Sequence, residues 1–324
     1  MNNGITVLSL FDGISCGRIA LERSGIPVKA YYASEIKDIA IKCTMHHYPD
    51  TIQIGDVTKV SYADGVLYTE NREYKVGKID LLIGGSPCQD FSSLQYINQG
   101  KALGLLGTKS RLFYEYLRLL HEVKPKYFLL ENVKMSRERE RERESQLNDY
   151  LNVEAIHINS SLVSYQNRPR FYWTNIPGVT VPEDRHINFQ DYMERDVEKC
   201  RPYKVNRTPS REKMWNNGLG HTCIGSCNNV TNAEKIFCIT RKQDRFPNSG
   251  LIEFEDFCRY LTRAEIEGGQ TLPIGYTDCL TYNQMQDVCG DGWTIDVIAH
   301  IFSFLRPYFE QTRLQWLDEL LGGV

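Results

Sequence analysis

Between residue 5 and about residue 176, short apolar runs rich in β-branched residues alternate with stretches of helical periodicity. In chain order, the apolar runs are ITVLSLF, VKAYYASEI, TIQIGDV, KIDLLIGGSP, KYFLLENV, VEAIHINSSLV and RFYWTNI, with a polar stretch between the third and the fourth. Strands interleaved with helices are typical of a parallel sheet that helices cover on both faces. The sequence therefore predicts an α/β fold with a doubly wound sheet.

The rest of the chain has a different character. Residues 178–256 are rich in Pro, Asn, Gly, Arg and Lys and show weak periodicity, which predicts a second, smaller and irregular lobe. Helical spacing returns in LTRAEIEGG and WTIDVIAHIFSFLRPYF. We therefore expect residues 257–324 to pack back on a first domain formed by residues 1–177.

The composition, 41% hydrophobic and 24% charged over 324 residues, excludes disordered and fibrous classes. No run of about 18 apolar residues is present and the N-terminus lacks signal-peptide features, so a cytoplasmic location without membrane contact is expected. The ten cysteines are scattered, which favours reduced thiols. A net charge of −3 is unlike that of a non-specific nucleic-acid coat protein, but it allows a local basic face.

Polar residues and glycines follow the first three predicted strands. The first strand runs into FDGISCG (residues 11–17), a turn where a nucleotide-like ligand can approach backbone N–H groups, although a simple tight turn explains it equally well. Glu35 ends the second strand, where an acid can bind ribose hydroxyls, and Asp56 ends the third, where it can accept from an adenine amino group. Three strand ends that converge on one crevice favour an adenosyl cofactor.

The fourth strand ends in GGSPC, which puts the Cys88 thiol at the carboxyl edge of the sheet. A lone cysteine is usually a small buried hydrophobe, but a position between Pro87 and the polar Gln89 suits a core poorly. Glycines at 100, 104 and 107 follow, so the loop can move over a substrate. We interpret Cys88 as a nucleophile on a closing loop.

The fifth strand delivers Glu131 and Asn132 to the neighbouring strand end. A carboxylate beside apolar residues can share a proton with a ring nitrogen, whereas Asn132 also fits an ordinary cap. Later, QNRPR precedes another strand, and arginines two positions apart point the same way from an extended chain. One of Arg168 and Arg170 can then reach a substrate while the other braces the loop, although surface arginines are common.

These segments resemble the DNA cytosine-5 methyltransferase family. The resemblance rests on FDGISCG, Ser-Glu, Gly-Asp, Pro-Cys, Glu-Asn-Val, Gln-x-Arg-x-Arg, LTRAE and GDGW, in this order, and it covers nearly the whole chain apart from residues 178–256. The stretches LFDGI, ASE, GGSPC and RLFYEYLRLLHEVKP look most like the vertebrate de novo methyltransferases and their phage and bacterial relatives. The resemblance implies a Rossmann-like methyltransferase fold with a doubly wound mixed sheet, and a target-recognition lobe at residues 178–256.

The resemblance also implies a cofactor and a mechanism. S-adenosylmethionine is the expected methyl donor, bound around Phe11, Asp12, Gly13, Ile14, Cys16, Glu35, Ile36, Asp56, Val57 and Trp293. Cys88 is expected to add to C6 of a flipped-out cytosine, while Glu131 hydrogen-bonds N3 and the amino group. Arg170, with Arg168 nearby, is expected to steady O2 and the loop.

Two positions depart from the family pattern. Many bacterial members have a second glycine where Ser15 stands, although the de novo-like group also lacks it. Asp291 stands where related sequences often have Asn or Arg. An acid there repels the carboxylate of the donor's methionine moiety unless it points away or is paired.

The lobe has an excess of positive charge. Between Cys200 and Pro247 the sequence has nine Lys or Arg but only three acidic residues, so double-stranded DNA is expected to lie there. Besides Lys235, the basic residues are Arg201, Lys204, Arg207, Arg211, Lys213, Arg241, Lys242 and Arg245. His221, Cys223 and Cys227 suggest zinc, but a second pair of ligands is missing and structural zinc takes four ligands, so no metal is expected.

Three other functions compete with this interpretation. A tRNA methyltransferase of the same fold would share Cys88 and Glu131, but that branch usually has Cys-Phe-Thr after Pro, whereas this chain has Cys-Gln-Asp. A catalytically silent homologue would be expected to lack Cys88 or Glu131, and both are present. A dinucleotide-binding oxidoreductase would need the G-x-G-x-x-G fingerprint, which the first turn does not have.

Overall fold

The computed structural model describes residues 4–85, 110–133, 138–206, 229–243, 249–254 and 257–309. A seven-stranded sheet forms the centre of the molecule, in the spatial order β3-β2-β1-β7-β8-β10-β9. Its strands are β1 (Ile5–Leu10), β2 (Val28–Ser34), β3 (Ile52–Gln53), β7 (Leu81–Gly85), β8 (Tyr127–Val133), β9 (Ile156–Asn159) and β10 (Pro169–Thr174).

The sheet is mixed and doubly wound, which confirms the predicted fold class. Strand β1 pairs in parallel with β2 and β7, and β8 continues the parallel set, whereas β10 runs antiparallel to β8 and β9. The chain fills one half of the sheet with β1, β2 and β3 and then crosses over to β7. Its strand order therefore reverses between β1 and β7, where open α/β sheets form their ligand crevice.

Helices cover both faces of the sheet because alternate strand residues point to opposite sides. Val7 and Ile83 belong to one buried cluster, and their neighbours Leu8 and Leu82 belong to another on the opposite face. The helices are α1 (Cys16–Arg23), α2 (Asp38–His47), α3 (Ser110–Val123), α4 (Glu138–Leu151), α5 (Val197–Cys200), α6 (Arg263–Gly269), α7 (Tyr282–Asp291) and α8 (Ile295–Ser303). Within the described ranges, none of them has the length and apolar character to cross a membrane.

The polar stretch before β7 folds into a small antiparallel sheet that the sequence patterns do not predict. Its strands are β4 (Ser61–Ala63), β5 (Val66–Tyr68) and β6 (Glu73–Lys75). Asp64 and Gly65 close the β4–β5 hairpin with φ values of 49° and 79°. Asp-Gly favours this two-residue turn, since both of its central residues need positive φ.

Two short strands lie at the end of the segment that is predicted to form the lobe. Strands β11 (Leu251–Glu253) and β12 (Cys258–Tyr260) pair with each other across the predicted boundary at residue 256. The Val205 N–H donates to the Cys258 carbonyl at 2.8 Å, and the Val230 N–H donates to the Leu251 carbonyl at 2.9 Å. The domain boundaries themselves stay a prediction.

The C-terminal helix α8 is hydrogen-bonded to the end of α1. The Ser24 hydroxyl, at the end of α1, donates to the carbonyl of Ala299 in α8 at 2.9 Å. Arg306 also donates to the Ser24 carbonyl, at 2.6 Å. Trp293, which stands between α7 and α8, is thereby held near the carboxyl edge of the sheet.

Candidate functional site

The turn between β1 and α1 is held by a buried carboxylate. Phe11, Gly13 and Ser15 have φ values of 57°, 60° and 57°, so the backbone reverses direction within a few residues. Asp12 accepts from the Ser15 hydroxyl at 2.5 Å and from the Tyr31 hydroxyl at 2.8 Å. Burial raises the pKa of Asp12 to about 6, although these hydrogen bonds oppose the rise.

Glu35 joins this turn to the end of β2. Its carboxylate accepts from the backbone N–H of Gly13 at 2.8 Å, and from those of Ile36 and Lys37 at 2.8 and 2.9 Å. The side chain of Ile36 beside it is 70% exposed. At the end of β3, Asp56 accepts from the Thr58 N–H at 2.9 Å.

The ten residues predicted to surround a cofactor fall into two groups. Phe11, Gly13, Glu35 and Asp56 are half-buried along the crevice, and Ile36 projects into solvent beside them. The other five are buried, so their side chains belong largely to the protein interior: Asp12, Ile14, Cys16, Val57 and Trp293. Burial accordingly raises the pKa of the Cys16 thiol to about 12.

Glu131 is the centre of the second part of the site. Its Oε1 lies 2.9 Å from Nε of Arg170, and its Oε2 accepts from the indole Nε1 of Trp293 at 3.2 Å. Only 10% of the Glu131 side chain is exposed. Glu131 is in register with Gly85 of β7, where a Cβ atom would lie 2.7 Å from the indole Nε1 of Trp293, so this packing requires glycine.

The two arginines of the QNRPR segment have different partners. Arg168 is 4% exposed and donates to the carbonyls of Ile239 at 2.9 Å and Gly292 at 2.8 Å, and to that of Gly290 at 3.2 Å. Arg170 contacts Glu131 instead. Arg168 thus braces the surrounding loops, while the contact of Arg170 with a substrate stays a prediction.

Asp291 is paired with basic residues. It accepts from Nζ of Lys37 at 2.5 Å and lies 3.6 Å from Nε of Arg241. Both cations also reach Asp287, with Lys37 at 3.5 Å. Asp291 is therefore paired, which is one of the two conditions under which an acid can stand at this position.

The basic residues of the lobe are described only in part. Arg201, Lys204, Arg241 and Lys242 are exposed. Arg201 pairs with Glu198 at 2.9 Å. The remaining predicted DNA contacts and the cysteines considered for zinc lie outside the described residues: Arg207, Arg211, Lys213, Arg245, Cys223 and Cys227. In the described ranges, no three His, Cys, Asp or Glu residues form a group suited to a metal ion.

Cys88 also lies outside the described residues, three positions after Gly85.

Two further residues contact the site or the segment beside it, and the sequence patterns did not single them out. The Cys238 sulfur accepts from Arg168 at 3.3 Å, and Gln270 donates to the carbonyl of Cys289 at 2.5 Å. Both contacts span long sequence separations that no local motif reveals.

The mixed sheet, the crevice at its strand reversal and the carboxylate at the end of β8 define an open-sheet α/β protein with a ligand site at the carboxyl ends of its strands. The model of the C-5 cytosine-specific DNA methylase family matches residues 5–305. The chain belongs to this family.

Curated relatives match a limited segment. The orphan methyltransferase M.Rho11sI of Bacillus phage rho11s is 36% identical over 132 residues, which are 40% of this chain and 23% of that protein. The type II methyltransferase M.NlaIV of Neisseria lactamica is 35% identical over 133 residues, again 40% of this chain and 28% of the relative. The match thus spans about a quarter of each relative's length.

Solved structures match over almost the whole chain. The S. pombe Dnmt2 methyltransferase has a TM-score of 0.63 at 17% identity, covering 94% of this chain and 99% of that one. A putative DNA modification methyltransferase encoded in an E. coli prophage has a TM-score of 0.59 at 18% identity, with the same coverage. At these identities the likeness concerns the fold alone.

Proposed function

We propose that this protein transfers a methyl group from S-adenosylmethionine to C5 of a flipped-out cytosine in double-stranded DNA, through a covalent bond between Cys88 and C6. The observation that carries the proposal is the setting of Glu131. Its carboxylate stands at the carboxyl end of β8, held by Arg170 and Trp293, and Glu131 is in register with Gly85, which stands three residues before Cys88 in the sequence.

The chemistry explains why these residue types are needed. C5 of cytosine is a weak nucleophile, so the Cys88 thiolate adds to C6 and the ring electrons move to C5 as an enamine. The Glu131 carboxyl group shares a proton with N3 and accepts from the amino group, so that the shared proton stabilises the negative charge that moves onto the ring, while Arg170 steadies O2. The C5 electron pair takes the methyl group as its bond to the donor sulfur breaks, which leaves a neutral thioether. A water molecule then accepts the C5 proton, the electron pair of that C–H bond reforms the C5–C6 double bond, and Cys88 leaves as a thiolate.

The crevice beside β1 suits an adenosyl donor. Glu35 is fixed by three backbone N–H groups yet remains only partly buried, so its oxygens can also accept from ribose hydroxyls. The exposed Ile36 offers an apolar surface for a base, and Asp56 offers an acceptor. When bound, S-adenosylmethionine supplies the electrophilic methyl group.

DNA is the substrate that the lobe supports best. Flipping a cytosine out of a duplex costs a few kcal/mol, which contacts to the opened DNA must offset. Exposed Arg201, Lys204 and Lys242 can contribute phosphate contacts. The DNA methylase family match, over residues 5–305, agrees with this choice.

Bisulfite sequencing of DNA from cells that express the protein tests the proposal. In cells with the wild-type protein we expect cytosines that resist bisulfite conversion, confined to one short sequence. In cells with Cys88→Ala we expect none. The RNA of the same cells is sequenced in parallel. Unmodified DNA with the wild-type protein refutes the DNA substrate, and a Cys88-dependent mark in tRNA instead assigns the protein to RNA.

A further inference from the structure

Cys238 lies on a segment of the lobe that is hydrogen-bonded to the residues just before the arginine pair. The Ile236 N–H donates to the Tyr165 carbonyl at 2.8 Å, and the Asn167 N–H donates back to the Ile236 carbonyl at 2.9 Å. The Ile239 N–H donates to the Gln166 side chain, also at 2.8 Å. These bonds hold the Cys238 side chain next to the arginine pair.

The Cys238 sulfur faces two guanidinium groups. It accepts from Nη1 of Arg168 at 3.3 Å and from Nη2 of Arg170 at 3.8 Å. The Arg170 side chain is itself nine-tenths buried and lies 2.9 Å from Glu131. A continuous set of contacts therefore runs from the lobe, through Cys238 and Arg170, to the carboxylate of the proposed base pocket.

The charges of this cluster favour an ionised sulfur. Burial raises the pKa of Cys238, but the positive charges of Arg168 and Arg170 lower it further, so that it falls below the ordinary value. Two guanidinium groups against the single carboxylate of Glu131 leave one positive charge in a nearly dry site. The two guanidinium groups thus favour the ionised form of the Cys238 sulfur.

We propose that Cys238 is a positioning residue for the methyl-transfer reaction, a thiolate contributed by the lobe that holds the Arg170 guanidinium in place against Glu131. The inference rests on the proposed function and adds a residue to its machinery. Without the thiolate, the Arg170 guanidinium keeps its contact with Glu131 and a hydrogen bond to the adjacent Pro169 carbonyl at 2.9 Å, but it loses its support from the lobe. If the guanidinium group moves by about an ångström, it no longer holds Glu131 and the cytosine in the geometry that the reaction needs.

Alkylation of the folded protein tests the thiolate without relying on activity. Iodoacetamide labelling of Cys238 is followed by peptide mass spectrometry between pH 6 and 9, in the wild-type protein and in Arg170→Gln. We expect the Cys238 rate of the wild-type protein to reach its plateau at lower pH than that of Arg170→Gln. Equal Cys238 profiles in the two proteins overturn the inference.

Single-turnover kinetics test the positioning role. We expect Cys238→Ala to lower the methyl-transfer rate about 10- to 100-fold while the KM values for DNA and cofactor stay within about twofold. Cys238→Asp, which restores an anion, recovers more of the rate than the neutral Cys238→Ser. Thermal unfolding verifies that each variant is folded.

The outcomes separate this inference from the proposed function. A wild-type protein that methylates no nucleic acid refutes the proposed function, while the labelling profiles still decide whether the arginines hold a thiolate. If the wild-type protein is active and folded Cys238→Ala and Cys238→Ser keep its rate, the positioning role is wrong. A raised KM for DNA at unchanged rate also overturns it, because Cys238 then serves only the structure of the lobe.

Discussion

Trp293 donates from its indole nitrogen to the Glu131 carboxylate at 3.2 Å, although the two residues are 162 positions apart in the sequence. The bond fixes one carboxylate oxygen while Arg170 lies against the other. The orientation of Glu131 is therefore set before any substrate arrives, as expected for a preorganised group.

Replacement of Glu131 by Gln keeps the shape of this side chain but removes its charge and its capacity to share a proton. We expect the single-turnover methylation rate to fall about 10²- to 10⁴-fold, the range for loss of an acid–base group. Trp293→Phe, which removes one hydrogen bond and keeps an aromatic ring, should cost about tenfold or less. Calorimetry should give cofactor affinity for Glu131→Gln close to the wild-type value, and a rate near wild type contradicts the assigned role.

Arg168→Lys should destabilise the fold. Lysine cannot reproduce the fork that reaches Ile239, Gly290 and Gly292 together, so buried carbonyl groups lose their donors. We expect a loss of about 2–4 kcal/mol in the free energy of unfolding, measured in urea. The exposed Arg201→Lys is the matched control and should change stability by less than about 0.5 kcal/mol. Equal effects of the two substitutions refute the bracing role.

Asp291→Asn tests the pairing of Asp291 with Lys37. The contact is exposed and lies beside a second acid, Asp287, that keeps Lys37 occupied. We therefore expect a stability change under about 1 kcal/mol. The affinity for S-adenosylmethionine should stay the same or increase, because the substitution removes a negative charge that repels the carboxylate of the donor's methionine moiety. Titration calorimetry that shows a large loss of affinity contradicts this prediction.

Ser15 adopts the left-handed conformation that glycine adopts at little cost, with φ of 57°. Its hydroxyl compensates by bonding Asp12 at 2.5 Å and Thr44 at 3.0 Å. Ser15→Gly and Ser15→Ala both remove the hydroxyl, but only alanine keeps the backbone strain. Urea unfolding should show Ser15→Ala less stable than Ser15→Gly by about 1 kcal/mol. The reverse order would mean that the turn rearranges.

The raised pKa of Asp12 predicts a pH-dependent stability. Because the folded protein binds this proton more tightly than the unfolded chain does, the contribution is full below pH 3.8 and is lost as pH rises through about 6. Relative to Asp12→Asn, the wild-type protein should lose up to about 3 kcal/mol between pH 4 and pH 7. Urea unfolding at several pH values measures the difference, and a constant difference refutes the assignment.

Local patterns predict the strands well because each reports which faces of one element are buried. Glu131 and Gly85 are found at strand ends from such patterns alone. The same patterns could not place Trp293 against Glu131, since helical spacing in the C-terminal segment does not specify what the helix packs on. Nor could they show that Ile14, Cys16 and Val57 are buried, because side-chain direction within a tight turn follows from its dihedral angles.

The β4–β5 hairpin does have a signature in the sequence. Asp64-Gly65 is a strong hairpin pair, yet its polar surroundings concealed the short strands that flank it. Cys238 had no comparable signal, because its significance comes from two arginines about 70 positions earlier in the chain.

Val205 and Val230 are both hydrogen-bonded to the β11–β12 pair, so the stretch between them begins and ends on one small platform. Closing a loop on fixed ends is insensitive to length, with about 0.6 kcal/mol for each doubling. The length of chain between Val205 and Val230 can therefore change over evolutionary time at little cost in the free energy of folding.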